Sequence, residues 1–340
     1  MIILRRTLIA LTTAALLGAG AVGSAAAADV KSRMIRFGYG LAEDTNQGRA
    51  TKRFVDEVAK LSDGKLKVRA FGAASLGSDV QMQNALIGGA QEMMVGSTAT
   101  LVGITPEMAL WDTPFLFANE KEADAVLDGP VGQKLLDKLQ EKGLVGLVYW
   151  ENGFRNLTNN KRSVNSLEDL GGIKLRVMQN NVFLETFKTL GANAIPLSFS
   201  ELFTALETQA VDGQENPFNT ILTSKFYEVQ KYLTVTNHVY SPWVMLASKK
   251  WWDKLSKDEQ DILMQAARNA RDFERQDTRE EAARALGELE SKGMTVNTLT
   301  GDEVQRMREK IEPITQKVAA DVGAELWNEV QQELAKVRSK

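Results

Sequence analysis

A helical pattern runs over residues 257–290 without a proline, and it constrains the chain more than any other feature. At 1.5 Å per residue such a helix is roughly 50 Å long, more than one domain of ordinary size needs. Ser256 with Glu259 opens it as a capping box, the serine hydroxyl taking the N3 amide and the glutamate returning to the serine N–H. A helix of this length can span two units, and a chain of 340 residues is long enough for two.

The residues before it use one α/β grammar twice. Residues 34–40 and 65–71 read as strands, and the helix between them carries Phe54, Val55, Val58 and Leu61 on one face. Ser78 and Gln81 cap the next helix, 91–95 is a short strand, 120–142 is helical, and 144–150 is a near-continuous apolar strand. After Glu151-Asn152-Gly153 the pattern restarts. Strands are expected at 173–177, 193–196 and 211–214, with helices at 181–190 and from a third capping box at Ser198 and Glu201. Alternation of strand and helix predicts parallel order. Residues 231–248 are β-rich and can return the chain to the first unit, and 301–338 form two terminal helices.

The N-terminus is of another kind. Arg5-Arg6, an apolar run over 8–22 and the small residues Ser24 to Ala28 read as a secretory signal, cleaved near Ala27 or Ala28. No later run reaches the ~20 apolar residues of a membrane span. Net charge is −3, and losing Arg5 and Arg6 leaves 39 basic against 44 acidic residues, or −5. This mildly acidic balance argues against a nucleic-acid partner. With no cysteine there is neither disulfide nor thiolate chemistry.

No catalytic constellation is legible. The chain lacks a G-x-S-x-G elbow, a P-loop, G-x-G-x-x-G and H-E-x-x-H, and one histidine with no cysteine excludes the common zinc sets. His238 reads as a structural, hydrogen-bonded residue. What remains is a set of polar groups at strand ends. Ile173, Leu175 and Val177 alternate with Lys174 and Arg176, so Arg176 stands near the carboxyl end of a strand, where α/β sheets bind ligands. Its guanidinium is a permanently charged fork that matches a carboxylate. Arg155 follows the Gly153 step, and Asn216 ends another strand and is held by Pro217. Converging from one sheet edge, the three would make an anion site.

At these residues the sequence resembles the periplasmic solute-binding proteins of TRAP transporters, the DctP type. The motifs are VDGQENP at 211–217, FYEVQK at 226–231 with Thr236-Asn237-His238, the step from Asn152-Gly153 to Arg155, and Leu175-Arg176-Val177. Ser75-Leu76-Gly77, Pro114 to Phe117 and Phe199 to Leu202 fit as well, and the likeness covers about 33–338. The resemblance implies two α/β domains, 33–152 with 242–281 and 153–241 with 282–340, closing over a cleft with the long helix bridging both. It implies a periplasmic, non-enzymatic monomer without cofactor that hands an organic acid to a sodium-driven membrane permease. Arg176 would make the main salt bridge to the ligand carboxylate, with Arg155 and Asn216 assisting and Phe199 packing on the ligand body. The acidic residue that sialic-acid members carry near Gly96-Ser97 is absent in sequence here. The tryptophan-containing metal site of the 2-oxo-acid branch does not align with Arg176–Asn216, so no metal is expected.

The ligand class follows from the polar residues expected around the cleft. Glu43, Asp44, Asn46, Gln47, Asn152, Gln179, Asn180 and Asn219 offer many hydrogen-bonding groups. Acids in the wall of the first domain would repel a second carboxylate and accept hydroxyl donors. This favours a hydroxylated monocarboxylate, such as a hexuronate or another sugar acid, over a C4-dicarboxylate or an aromatic acid. Trp111, Trp243 and Tyr39 are candidates to stack on a sugar face. Rival readings are an ATP-driven importer's binding protein, a sensory module and a secreted α/β enzyme.

Overall fold

The structure is a computed structural model that describes residues 29–339. The expected signal segment lies outside them. The elements in order are β1 (Arg33–Tyr39), α1 (Asn46–Leu61), β2 (Leu66–Phe71), α2 (Asp79–Gly88), β3 (Met93–Ser97), α3 (Glu120–Leu127), α4 (Pro130–Lys138) and β4 (Leu144–Phe154). They continue with β5 (Asn156–Asn159), β6 (Lys174–Val177), α5 (Asn181–Leu190), β7 (Asn193–Pro196), α6 (Leu202–Glu207), β8 (Gly213–Asn216), α7 (Phe218–Thr223) and β9 (Tyr232–Val235). The chain ends with β10 (Tyr240–Ser248), α8 (Lys249–Trp252), α9 (Lys257–Ser291), β11 (Thr295–Thr298), α10 (Gly301–Val322) and α11 (Ala324–Arg338).

Two sheets form, as the double grammar predicts. One has the order β2-β1-β3-β10-β4 and the other β11-β9-β5-β8-β6-β7. Neither is purely parallel. β10 runs antiparallel to β3 and β4, and β5 runs antiparallel to β8 and β9. The expectation of parallel order fails because β4→β5 and β9→β10 pass directly from one sheet to the other, with no helix to turn the chain around. A parallel neighbour needs such a crossover; an antiparallel one does not. Gly153, with φ +113°, sits at the first passage, where a side chain would be strained.

The first sheet is covered on both faces. Ile35 and Phe37 pack with Phe54 and Val58 of α1 and Leu263, Ala266 and Ala270 of α9. On the other face Met94 packs with Leu86 of α2 and Leu135 of α4. In the second sheet, Leu233 packs with Leu202, Leu206 and Leu289, while Leu175 shares a core with Phe183, Phe187, Met307 and Ile311. So α9 buries small residues against one sheet and Leu289 against the other, which is how one helix serves both. α11 packs on α3 and α4, tying the chain's end to its first half.

Local signals decide several boundaries. The Ser256 hydroxyl accepts the Glu259 N–H at 3.1 Å and Glu259 accepts the Ser256 N–H at 2.9 Å, so the α9 capping box forms. Ser256→Ala should cost about 1 kcal/mol, a loss of roughly 2 °C in thermal midpoint; an unchanged midpoint would mean the cap is redundant. The box at Ser198 does not form, because that hydroxyl donates to the Glu201 carboxylate and the segment starts as a tight turn at Phe199–Glu201. The helix expected over 120–142 is broken at Gly129, with Pro130 opening α4, since proline cannot continue the hydrogen-bond ladder.

Candidate functional site

The two sheets face each other across a cavity with two adjoining compartments. One takes in about 390 Å³ of space continuous with solvent and is lined by Gln47, Asp79, Asn152, Arg155, Asn216 and Trp243, among others. The other takes in about 370 Å³, likewise continuous with solvent, and is lined by Arg176, Gln179, Ser198 and Ser200. Gly40, Asp79, Met178 and Phe199 border both.

Arg176 comes off β6 and is only 1% exposed. Its Nε donates to the Leu197 carbonyl at 2.9 Å, and its Nη1 has no hydrogen-bond partner. No carboxylate pairs with it among the described ion pairs. Burial pulls this guanidinium down to about 10, with the fields of Glu215 and Asp79 opposing and that of Arg155 adding. It is a cation held in a polar hole, balanced only through space and without a carboxylate in contact among the described ion pairs.

Arg155 differs. It is fully buried, and its Nε and Nη2 donate to the Glu215 carboxylate, the latter at 2.8 Å. The guanidinium lies over the Phe183 ring at 5.3 Å. His238 Nε2 meets Glu215 Oε2 at 3.1 Å, and its Nδ1 meets the Thr236 hydroxyl at 2.8 Å. His238 is thus a hydrogen-bonded structural residue. Burial would raise the Glu215 carboxyl, but the Arg155 charge and the His238 and Arg155 hydrogen bonds hold it below its usual range. Arg155 Nη1 alone is left unpartnered. The two arginines are therefore unequal: one is neutralised and keeps a single free N–H group, the other is bare.

Asn216 lines the same cavity, its Nδ2 donating to Gln214 Oε1. Phe199 borders both compartments and packs on Phe226 with ring centroids 6.1 Å apart. Trp243 lines the wall from β10. Asn152 lines it too and accepts the Thr220 hydroxyl at 3.0 Å.

Other expected residues lie elsewhere. Glu43 and Asp44 are exposed on the outside of the turn before α1; Gln47, one helical turn on, faces the cavity instead. Asn180 lines neither compartment. It is the N-cap of α5, accepting the Phe183 N–H at 3.1 Å, and its Nδ2 donates to Asp112 Oδ2 at 2.6 Å. A capping side chain is aimed at its own helix, which takes it from the cleft. Asn46 and Asn219 are spent on Thr278, and Trp111 and Tyr39 are core residues.

Asp79 was not anticipated. It is the first residue of α2, indistinguishable in sequence from an ordinary first-turn acid favoured by the helix dipole. In space its carboxylate reaches Ser97, accepting that N–H at 2.9 Å. It stands beside Gly96-Ser97 although it comes from another element. Burial pushes the Asp79 carboxyl up to about 6, the Ser97 N–H and the Arg176 charge pulling the other way.

A cavity between two α/β units, lined by fixed charges and amides, is built to hold a small anionic ligand. The chain belongs to the bacterial extracellular solute-binding proteins of family 7, the DctP family, whose model matches residues 37–321. These are the non-enzymatic binding proteins of TRAP transporters, which sets aside the enzyme and ATP-driven importer readings. The sugar acid binding protein of Advenella mimigardefordensis, solved with galactonate, is 54% identical and superposes with a TM-score of 0.89 over 91% of this chain and 100% of that one. The 2,3-diketo-L-gulonate-binding periplasmic protein of Escherichia coli is 36% identical over 78% of this chain and 81% of its own length. A TRAP solute-binding protein of Sulfurospirillum deleyianum with bound succinate is 33% identical, with a TM-score of 0.84 over 89% of this chain and 99% of that one.

Proposed function

We propose that this protein captures a sugar acid in the periplasm and delivers it to a TRAP membrane permease. One observation carries the reading: Arg176 is a buried cation that no carboxylate contacts among the described residues, with Nη1 unpartnered, at the edge of a cavity otherwise rich in hydrogen-bonding groups. A ligand carboxylate supplies the missing charge, and a charge-assisted pair is strongest where water is excluded. Arg155 Nη1 and Asn216 assist, and Phe199 and Trp243 pack on the carbon chain. Asn152, Gln47 and Asp79 meet the hydroxyl groups. The galactonate-bound relative is consistent with this class. The bodies that close are 33–152 with 242–281 and 153–241 with 282–340, the terminal α11 of the second reaching back onto α3 and α4 of the first. Ligand contacts made only on closure shift the open–closed equilibrium.

The test is a thermal-shift and calorimetric panel of galactonate, galacturonate, succinate, malate and an aromatic acid. A bound acid at ~100 times its dissociation constant adds about 2.7 kcal/mol of stability. Shifts with the sugar acids alone are expected. A shift with succinate or malate alone would move the protein to C4-dicarboxylates and overturn the sugar-acid reading.

A further inference from the structure

We propose that Asp79 is the specificity-determining residue of this cleft: its carboxylate accepts ligand hydroxyls and bars a second ligand carboxylate. The inference rests on the sugar-acid reading and deepens it.

Asp79 borders both compartments, so a ligand anchored on Arg176 and extending into the larger one passes it. Only one of its oxygens is engaged: Oδ2 accepts the Ser97 N–H, and no hydrogen bond to Oδ1 is present among the described residues. The backbone around it is bare. A Cβ on Gly96 would lie 2.9 Å from the Asp79 Cγ, and one on Gly40 would lie 3.8 Å from Oδ1. Gly96 therefore permits the close seat of the carboxylate against β3. Among the described residues no lysine or arginine pairs with it; Arg176 acts on it through space.

An ionised carboxylate only accepts hydrogen bonds. A hydroxyl of a sugar acid can donate to it. A second carboxylate cannot, and it adds like-charge repulsion in a cavity where fields are weakly screened. The charged groups near Asp79 on neighbouring elements are Arg176 on β6, whose field reaches it, and Arg155 after β4, which lines the same compartment and is paired with Glu215 on β8. His238 faces Glu215 behind the cavity wall.

The matched probes are galactonate and galactarate, the diacid in which the terminal hydroxymethyl of galactonate is a carboxylate. Both stay ionised at pH 5.5, since α-carboxyl groups titrate near ~3.5. Calorimetry at pH 7.5 should find wild type binding galactarate at least 100-fold more weakly than galactonate. Asp79→Asn, which keeps the shape and an acceptor for the Ser97 N–H, should narrow that ratio at least tenfold. At pH 5.5, below the Asp79 midpoint of about 6, the wild-type ratio should move towards that of the variant. The variant's own ratio should stay fixed, because it lacks the titrating carboxyl. If Asp79 only braces Ser97, Asp79→Asn will weaken both ligands alike with the ratio unchanged, which overturns the assignment while galactonate binding stands. Binding of neither sugar acid by wild type would overturn both this assignment and the sugar-acid reading.

Discussion

Arg176→Met yields an empty protein at least as stable as wild type that no longer responds to its acid ligand. The two effects have one cause. Without ligand the guanidinium is held at about 10, well below its ordinary value. That difference corresponds to a cost on the order of 3 kcal/mol for keeping the charge buried. The sign is that of a depressed base: below pH 10 the group is charged in both folded and unfolded chains, and folding with the charge inside is the unfavourable side. Methionine removes the cost and keeps much of the volume, losing only the hydrogen bond to the Leu197 carbonyl, about 1 kcal/mol. With ligand bound the balance reverses. Truncating one partner of a buried charge pair costs about 2–5 kcal/mol, which is roughly 30- to several-thousand-fold in Kd. Arg176→Lys should fall between, since it retains the charge and loses the fork. Thermal midpoints with and without galactonate, and titration calorimetry, read both effects. Near-normal affinity in Arg176→Met would remove Arg176 from the site.

The parts of this site that sequence reveals are those set by neighbours along the chain. Arg176 was legible because the apolar alternation around it defines a strand, and Asn216 because Pro217 closes the strand that carries it. The ends of α2 and α9 were legible from capping boxes, whose partners are three residues apart. Elsewhere the decisive contact is distant in sequence. Arg155 lies 60 residues from Glu215, and nothing local says that its charge is already neutralised. Glu215 itself stood inside a recognised motif with only its neighbour singled out, because adjacent strand residues point to opposite faces and the pattern does not name which faces the arginine. The acids that the sequence puts in the wall of the first domain are Glu43 and Asp44. The turn sends both outward, and the acid that meets Arg176 across the cleft is Asp79. Strand direction failed for a related reason: whether a chain crosses to a second sheet is decided by packing, not by the strand's own residues.

Glu215→Ala should be the most destabilising single change at this site. The carboxylate is fully buried and is met by Arg155 through Nε and Nη2 and by His238 Nε2. Removing it leaves Arg155 charged, buried and unpaired, next to Arg176, whose charge it also balances through space. Breaking such a pair from one side costs about 3–5 kcal/mol, or roughly 6–10 °C of thermal midpoint. The pH profile should change as well. A carboxyl held below its usual range contributes stability that is present above the unfolded value near ~4.3 and is lost as pH falls through the folded one. Wild type should therefore lose on acidification a contribution that Glu215→Ala never had, and the two melting curves should converge at low pH. The double variant Arg155→Met/Glu215→Leu replaces both charges by apolar groups of similar size, which is often neutral or stabilising for a buried pair. Its midpoint should lie well above that of Glu215→Ala. If the double variant is no more stable than Glu215→Ala, the loss comes from packing rather than from the stranded charge. The same double variant also isolates Arg176: ligand affinity should fall only by the contribution of the one free N–H group of Arg155, because the bare cation that meets the carboxylate is still there.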